Sequence, residues 1–344
     1  MKFTYNWNLK DLEKVEKNNL KVFSCFACGG GSTMGYKMSG FDVLGCNEID
    51  PKIIEIYKKN HKPKYAFNEP IQEFKKRKDL PKELYNLDIL DGSPPCSSFS
   101  ICGNREKDWG KKKKFAEGQA LQVLDDLFFH FIDLANELKP KLIIAENVKG
   151  IIQGKAKGYT KKIIELFNTA GYQVQIFLLN SKFMGVPQAR ERVFFICSRK
   201  DLELGKIFLN FSEKPIRANQ LKTENKNYKE LPDKVLKMWQ WLDENNEKCG
   251  GKAHTALYKK RSNFNIVKLN SNQTPSTLTS KNQLMHWAEK RYISEKEIIQ
   301  ISSFPKDYDF CNKLEFITGM SVPPLMMHKI SKEIHNQWFK QRTV

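Results

Sequence analysis

Between Lys21 and Arg199 the chain alternates short apolar runs with amphipathic or polar stretches. The runs Lys21–Ala27, Phe41–Cys46, Leu87–Asp91, Lys141–Glu146, Tyr172–Leu179 and Arg192–Ser198 read as strands. Between them, Pro51–Asn60, Leu121–Leu138 and Tyr159–Thr169 read as helices, the last stopping at Ala170–Gly171. Alternation of this kind predicts an α/β fold, a doubly wound and mostly parallel sheet covered on both faces. Ligands then gather at the carboxyl ends of the strands. After Arg199 the texture changes to Asn/Lys-rich stretches with few periodic runs, and regularity returns around Ile293. The pattern predicts a larger domain from residues 1–199 plus 294–344 and a smaller one from 200–293.

Composition narrows the classes. A chain of 344 residues with 40% hydrophobic content has material for about two ordinary domains, which excludes a wholly disordered protein. Lys+Arg total 58 against 39 Asp+Glu, a formal charge of +19, which points to a polyanionic partner, nucleic acid ahead of an anionic membrane. Apolar runs such as Leu142–Ala145 and Val193–Cys197 fall far short of the roughly 20 residues that span a bilayer. Met1 to Leu20 carries no apolar signal segment, so a cytoplasmic protein is expected. The 8 cysteines fit a reducing compartment. Cys25 and Cys28 form a C-x-x-C, but no second pair or nearby histidine completes a zinc site, and no bound metal is expected.

Four constellations fall at predicted strand ends. Phe26-Ala27-Cys28-Gly29-Gly30-Gly31 follows the first strand, where glycines allow a tight turn and close approach of a ligand. Glu48 closes the next strand, where a carboxylate can accept from both ribose hydroxyls. Alone, these indicate a nucleoside-containing cofactor or a mere tight turn. The dinucleotide fingerprint G-x-G-x-x-G is absent. In Asp91-Gly92-Ser93-Pro94-Pro95-Cys96, two prolines fix the backbone before a cysteine, the rigid presentation that a nucleophilic thiolate needs. Glu146-Asn147-Val148 supplies an acid suited to handling a substrate proton. Arg190 and Arg192, at alternate positions of Pro187–Arg192, are expected to share one face and to suit carboxylate or phosphate.

The ordered set Phe26–Gly31, Glu48, Pro94–Cys96, Glu146–Val148, Gln188–Arg192, Pro275–Thr279, the Arg291…Glu297…Phe304-Pro305 run and Gly319–Pro323 resembles the cytosine-C5 DNA methyltransferases of bacterial restriction–modification systems. The resemblance implies a Rossmann-like, S-adenosyl-L-methionine-dependent catalytic domain, with 200–293 as the target-recognition domain. It implies that Cys96 attacks C6 of a flipped cytosine and that Glu146 contacts N3 and the exocyclic amine. Arg190 and Arg192 would steady the base and the acid. Phe26 would stack on adenine, Gly29, Gly30 and Gly31 would pass near the methionine portion, and Glu48 would bind the ribose. Ile49, Ile71, Ser93, Pro95, Leu127, Ser321 and Val322 would complete the cofactor wall.

Ser98, Ser100, Lys111 and Lys112 fall in a long Ser97–Asp126 segment that matches the family's mobile catalytic loop and would close on DNA phosphates. Gly250–Gly251 and Lys259, Lys260 and Arg261 are the expected contact loops of the recognition region. The partner implied is duplex DNA, bound by a monomer, with a cognate restriction endonuclease that shares the target sequence without direct contact. Four positions depart from the family pattern: Cys28 stands for a glycine, Pro70 for an aspartate at the adenine amine, Ser97 for a glutamine and Met320 for an asparagine. Two alternatives stay open: a C5 methyltransferase acting on tRNA, whose Cys-Phe-Thr segment is not apparent here, and a catalytically dead nucleic-acid-binding protein.

Overall fold

The apolar runs form one seven-stranded sheet in the computed structural model, which describes residues 2–95, 126–154, 156–222, 226–260, 266–281 and 283–340 and the backbone of 112–113 and 122–123. The strands are β1 (Lys21–Cys25), β2 (Asp42–Asn47), β3 (Tyr65–Phe67), β4 (Ile89–Gly92), β5 (Leu142–Val148), β6 (Tyr172–Asn180) and β7 (Glu191–Arg199). Their order is β3-β2-β1-β4-β5-β7-β6. The pairings among β1 to β5 are parallel, whereas β7 runs antiparallel to both β5 and β6. Every residue of β4 is buried, as a parallel strand covered on both faces requires. The six expected strands are present, with ends moved by one or two residues. The first stops at Cys25 because Phe26 turns into the left-handed region, at φ 54°. The short strand β3 was not expected, since three half-buried residues leave no period to read.

The sheet is covered by α1 (Gly31–Met38), α2 (Pro51–His61), the single turn α3 (Ile71–Phe74), α4 (Leu127–Leu138) and α5 (Ala156–Thr169). Sequence chemistry sets the start of α2: Asp50 accepts from the amides of Lys52 and Ile53, and Pro51 sits at the first helical position. Aromatic side chains fill the core, with Phe23 stacked on Phe74 and Phe128 edge-on to Phe195. The expected helix from Leu121 begins at Leu127 instead; Gln122–Val123 pair antiparallel with Lys112–Lys113.

The second unit comprises residues 1–11, 181–190 and 211–326, and the sheet unit comprises 12–180, 191–210 and 327–344. These boundaries differ from the sequence expectation, which gives 294–326 and the two short segments to the larger domain and 200–210 to the smaller one. Hydrogen bonding supplies the reason. The Trp7 indole donates to the Ser303 carbonyl and the Gln188 amide to the Ile301 carbonyl.

The stretch with few periodic runs holds two helices, α6 (Asp233–Glu244), which buries Met238, Trp239 and Leu242, and α7 (Gly250–Tyr258). Gly250–Gly251, expected in a contact loop, opens α7 instead. A Cβ on Gly250 would lie 2.7 Å from the Ile266 carbonyl oxygen. The two-residue strands β8 (Val267–Lys268) and β9 (Leu284–Met285) follow, then α8 (Glu295–Ser302), α9 (Leu314–Met320) and α10 (Pro324–Ile334). Ser294 and Glu297 cap α8 reciprocally, and the buried Glu297 also takes a bidentate bond from Arg291. Among the described residues no helix is long and apolar enough to cross a membrane.

Gly45 faces the backbone of β3, where an added Cβ would sit 1.9 Å from the Tyr65 carbonyl oxygen. Gly45→Ala is therefore expected to push β3 off the sheet and to cost about 1–3 kcal/mol, read as a lowered midpoint in chemical denaturation.

Candidate active site

The antiparallel course of β7 decides the site. It brings the first residues of β7 beside the last residues of β5, in the register Glu146↔Phe194, Asn147↔Val193 and Val148↔Arg192. Side chains alternate along a strand, so Glu146 and Arg192 are diagonal neighbours on one face. Their Oε1 and Nε lie 2.9 Å apart, and both side chains are largely buried. Burial pulls the Arg192 pKa below its ordinary value, and the attraction of Glu146 opposes that shift. Asn147 projects from the other face of β5. Its amide donates to the Pro94 carbonyl at 3.1 Å, and its own oxygen accepts from the Val148 amide. The acid is thus clamped by Arg192, and the Pro94-Pro95 turn is tied to the next residue of the same strand.

Beneath that turn Asp91, at the end of β4, is buried and accepts from the Ser24 and Tyr36 hydroxyls at 2.7 and 3.2 Å. Burial raises its carboxyl pKa to about 7, against the two hydrogen bonds.

At the ends of β1 and β2, the Phe26–Gly31 turn is held by side chains that sequence reasoning missed. The His61 ring donates through Nε2 to the Gly29 carbonyl at 3.1 Å, and burial lowers its pKa to about 3, which keeps the ring neutral. Gly30 has φ 75°, and a Cβ there would meet His61 Nε2 at 2.2 Å. Cys28 adopts φ 46°, so a non-glycine residue here bears the roughly 1–2 kcal/mol of the left-handed region. Its amide donates to Glu48 Oε2 at 2.8 Å while the Asp50 amide donates to Oε1 at 3.0 Å. Burial raises the pKa of Glu48, and these backbone bonds oppose the shift. Asn68 anchors the Glu48 and Ile49 carbonyls, and Pro70 leads into α3 in extended geometry. Phe26, Ile49, Ser93 and Pro95 are half-buried, whereas Ile71 and Leu127 are core residues.

In the second unit, Arg190 bonds backbone carbonyls, whereas Arg192 pairs with Glu146. Arg190 precedes β7 and is 2% exposed, and its guanidinium donates to the carbonyls of Leu278 and Gly319 at 3.1 and 3.0 Å. Gln188 accepts from the Leu278 amide and Ala189 donates to the Pro275 carbonyl, so residues 188–190 are strapped to the 275–279 segment. Ser321 and Val322 are buried, and the Ser321 hydroxyl has no hydrogen-bond partner among the described residues. Met320 is exposed at the end of α9. Lys259 ends α7 with φ 51°, and the Lys260 carbonyl bonds His254 Nδ1. Cys96, Ser97, Ser98, Ser100, Lys111 and Arg261 lie outside the described residues, as does the side chain of Lys112.

The sheet order, with the carboxylate–guanidinium pair at its carboxyl edge, defines a Rossmann-like α/β fold. The same fold occurs in a candidate DNA modification methyltransferase encoded within an E. coli prophage, at 22% identity and a TM-score of 0.67 over 93% of this chain and 99% of that one. The chain belongs to the C-5 cytosine-specific DNA methylase family, whose model matches residues 20–336. It is 34% identical over 221 residues to the type II methyltransferase M.FnuDI of Fusobacterium nucleatum, covering 63% of this chain and 57% of that protein. It is also 34% identical to M.NgoPII of Neisseria gonorrhoeae, over 54% of this chain and 50% of that protein. The chain thus spans about half the length of these curated relatives.

Two expectations follow from the geometry. Arg192→Met leaves Glu146 in its pocket without a partner and is expected to lower unfolding stability by about 3–5 kcal/mol. A loss below about 1 kcal/mol in denaturant titration would show that the pair does not hold the strand ends together. For Asp91, the native state keeps a proton between about pH 4 and 7 that the unfolded chain has already released, so this carboxyl makes stability fall as pH rises through that window. Asp91→Asn should flatten that decline by up to about 4 kcal/mol, measured from denaturation midpoints across the window.

Proposed function

We propose that the chain is a sequence-specific DNA (cytosine-5)-methyltransferase, of the restriction–modification or orphan type, that methylates a cytosine flipped out of duplex DNA. The observation that carries this reading is the Glu146–Arg192 pair on the strand whose next residue, Asn147, holds the Pro94 carbonyl. Cys96 follows that turn in the chain. Cytosine C5 is a poor nucleophile until a group adds at C6. In the proposed reaction the Cys96 thiolate adds to C6, and Glu146 faces N3 and the exocyclic amine, stabilising the charge displaced into the ring. Arg192 holds Glu146 in one orientation. C5 then takes the methyl group, loses its proton to a base, and expels Cys96 to restore the ring. Extrusion of the base costs a few kcal/mol.

S-adenosyl-L-methionine, when bound, supplies the electrophilic methyl group. The residues of the sheet unit fit such a ligand. Each oxygen of Glu48 accepts one backbone amide and keeps acceptor capacity for a hydroxyl. Phe26 presents a half-buried ring at the end of β1, and Ile49, Ser93 and Pro95 lie at the neighbouring strand ends with accessible surface. Gly29 to Gly31 complete this side, and Ile71 and Leu127 belong to the core cluster against which Phe26 packs. The protein is read as a monomer acting in the cytoplasm, and a cognate endonuclease would share its target sequence without direct contact.

Bisulfite sequencing of DNA from a methylation-free host expressing the chain is expected to reveal 5-methylcytosine at one recurrent sequence. Cys96→Ser should abolish that signal while duplex DNA binding is retained. Turnover by this variant, or labelling of tRNA and not of DNA in a side-by-side transfer assay, would overturn the reading.

A further inference from the structure

The second unit contains a cavity of about 550 Å³, within the range of about 300–1,000 Å³ typical of ligand sites. Lys182, Lys214, Arg217, Lys248 and Lys268 line it, and among the described residues no carboxylate and no aromatic ring does. Lys268 is a fixed structural cation, buried over the Trp239 ring at 4.6 Å and paired with Asp243 at 2.6 Å. Lys214, Arg217 and Lys248 differ: they are exposed, and none has an ion-pair partner among the described residues. Cations converging on one concavity repel one another unless a counter-charge enters. Neutral donors stand between them, among them the amides of Asn270 and Asn272 and the hydroxyl of Ser276.

We propose that this cavity is a subsite for the phosphates of the DNA backbone, an assignment that rests on the reading of the chain as a DNA methyltransferase. Bundled cations with amide and hydroxyl donors are the groups that take phosphodiester oxygens. The absence of an aromatic ring from the lining removes the stacking platform that a base would need. The contact therefore reads the backbone and not the sequence.

Its wall also joins it to the catalytic segment. Ala189 and Ser276, both lining residues, are bridged to each other, and the Thr277 hydroxyl donates to the Ala189 carbonyl at 2.8 Å. Ala189 lies between Gln188 and Arg190, three residues before Arg192. A phosphate seated here would lie against the segment that is strapped to residues 275–279.

The test is the full-length variant K214Q/R217Q/K248Q, with duplex DNA affinity measured by fluorescence anisotropy between 50 and 200 mM salt. Each lost phosphate contact lowers the slope of log affinity against log salt by about 0.9. A fall of about 2–3 in that slope is expected, equal for target and unrelated duplexes, with an unchanged melting temperature. A matched variant, K157Q/K161Q/K162Q on α5, is expected to leave the slope within about 1 of the parent. An unchanged slope in the cavity variant, an equal fall in the α5 variant, or a fall seen with single-stranded RNA and not with duplex DNA would each overturn the proposal. Absence of methyl transfer to DNA by the parent chain would overturn the functional reading alone, because the slope is read from binding.

Discussion

The structure depends on the reversal of one strand. Were β7 parallel to β5, Arg192 would lie at the far edge of the sheet from Glu146. Because β7 runs antiparallel, its first turn of side chains meets the last turn of β5, and the two charges fall on one face 2.9 Å apart. Such a pair is expensive to bury and is compensated only by close geometry and further hydrogen bonds. Arg192 supplies one more, from Nη1 to the Glu191 carbonyl at 2.7 Å. The pair's value is positional: it fixes the orientation of the Glu146 carboxylate. Asn147, on the opposite face, lets the same two-residue segment also fix the Pro94 carbonyl. Catalytic geometry is thus built from strand alternation.

The cofactor edge rests on a different economy, in which a strained turn is over-determined by its neighbours. Phe26 and Cys28 both take positive φ without being glycine. Such conformations persist where surrounding bonds hold them. Here the Cys28 amide is held by Glu48, the Gly29 carbonyl by His61, and the Gly30 amide by the Ala27 carbonyl. Glu48 therefore supports the loop whether or not a ligand is present, and His61 stays neutral and acts as a donor across the physiological range.

Much of this was legible in the sequence, and what was not has local causes. The strand ends carrying Glu48, Pro94 and Glu146 were readable because buried parallel strands are apolar runs that stop at polar or turn residues. Asn147 was visible only as part of a triplet, since one residue does not reveal which carbonyl 53 positions away it will meet. His61 lies one residue past the helix expected over Pro51–Asn60, and helical periodicity does not say which carbonyl its ring will meet. Alternation predicts Arg190 and Arg192 on one face, but it does not reveal that Arg190 bonds two backbone carbonyls rather than a carboxylate or phosphate. The sequence expectation puts residues 294–326 in the larger domain because a return of periodicity marks where helices resume, whereas grouping by contact follows long-range bonds such as Trp7 to Ser303.

The segment from Gln188 to Arg192 shows why two arginines so near in sequence are not interchangeable. Arg190 sends two separate N–H groups to two backbone carbonyls, of Leu278 and Gly319, in a dry interior. Only a planar fork reaches both; an ammonium would satisfy one and leave the other carbonyl desolvated. Arg192 faces a carboxylate, where charge and orientation both matter. The first arginine therefore anchors 188–190 to the 275–279 strap, and the second orients the acid. Loss of either partner set would leave a buried charge or carbonyl uncompensated within its own unit. A chain with +19 overall charge has no shortage of cations, but these two are set apart by burial and by partners that fix each guanidinium in one orientation.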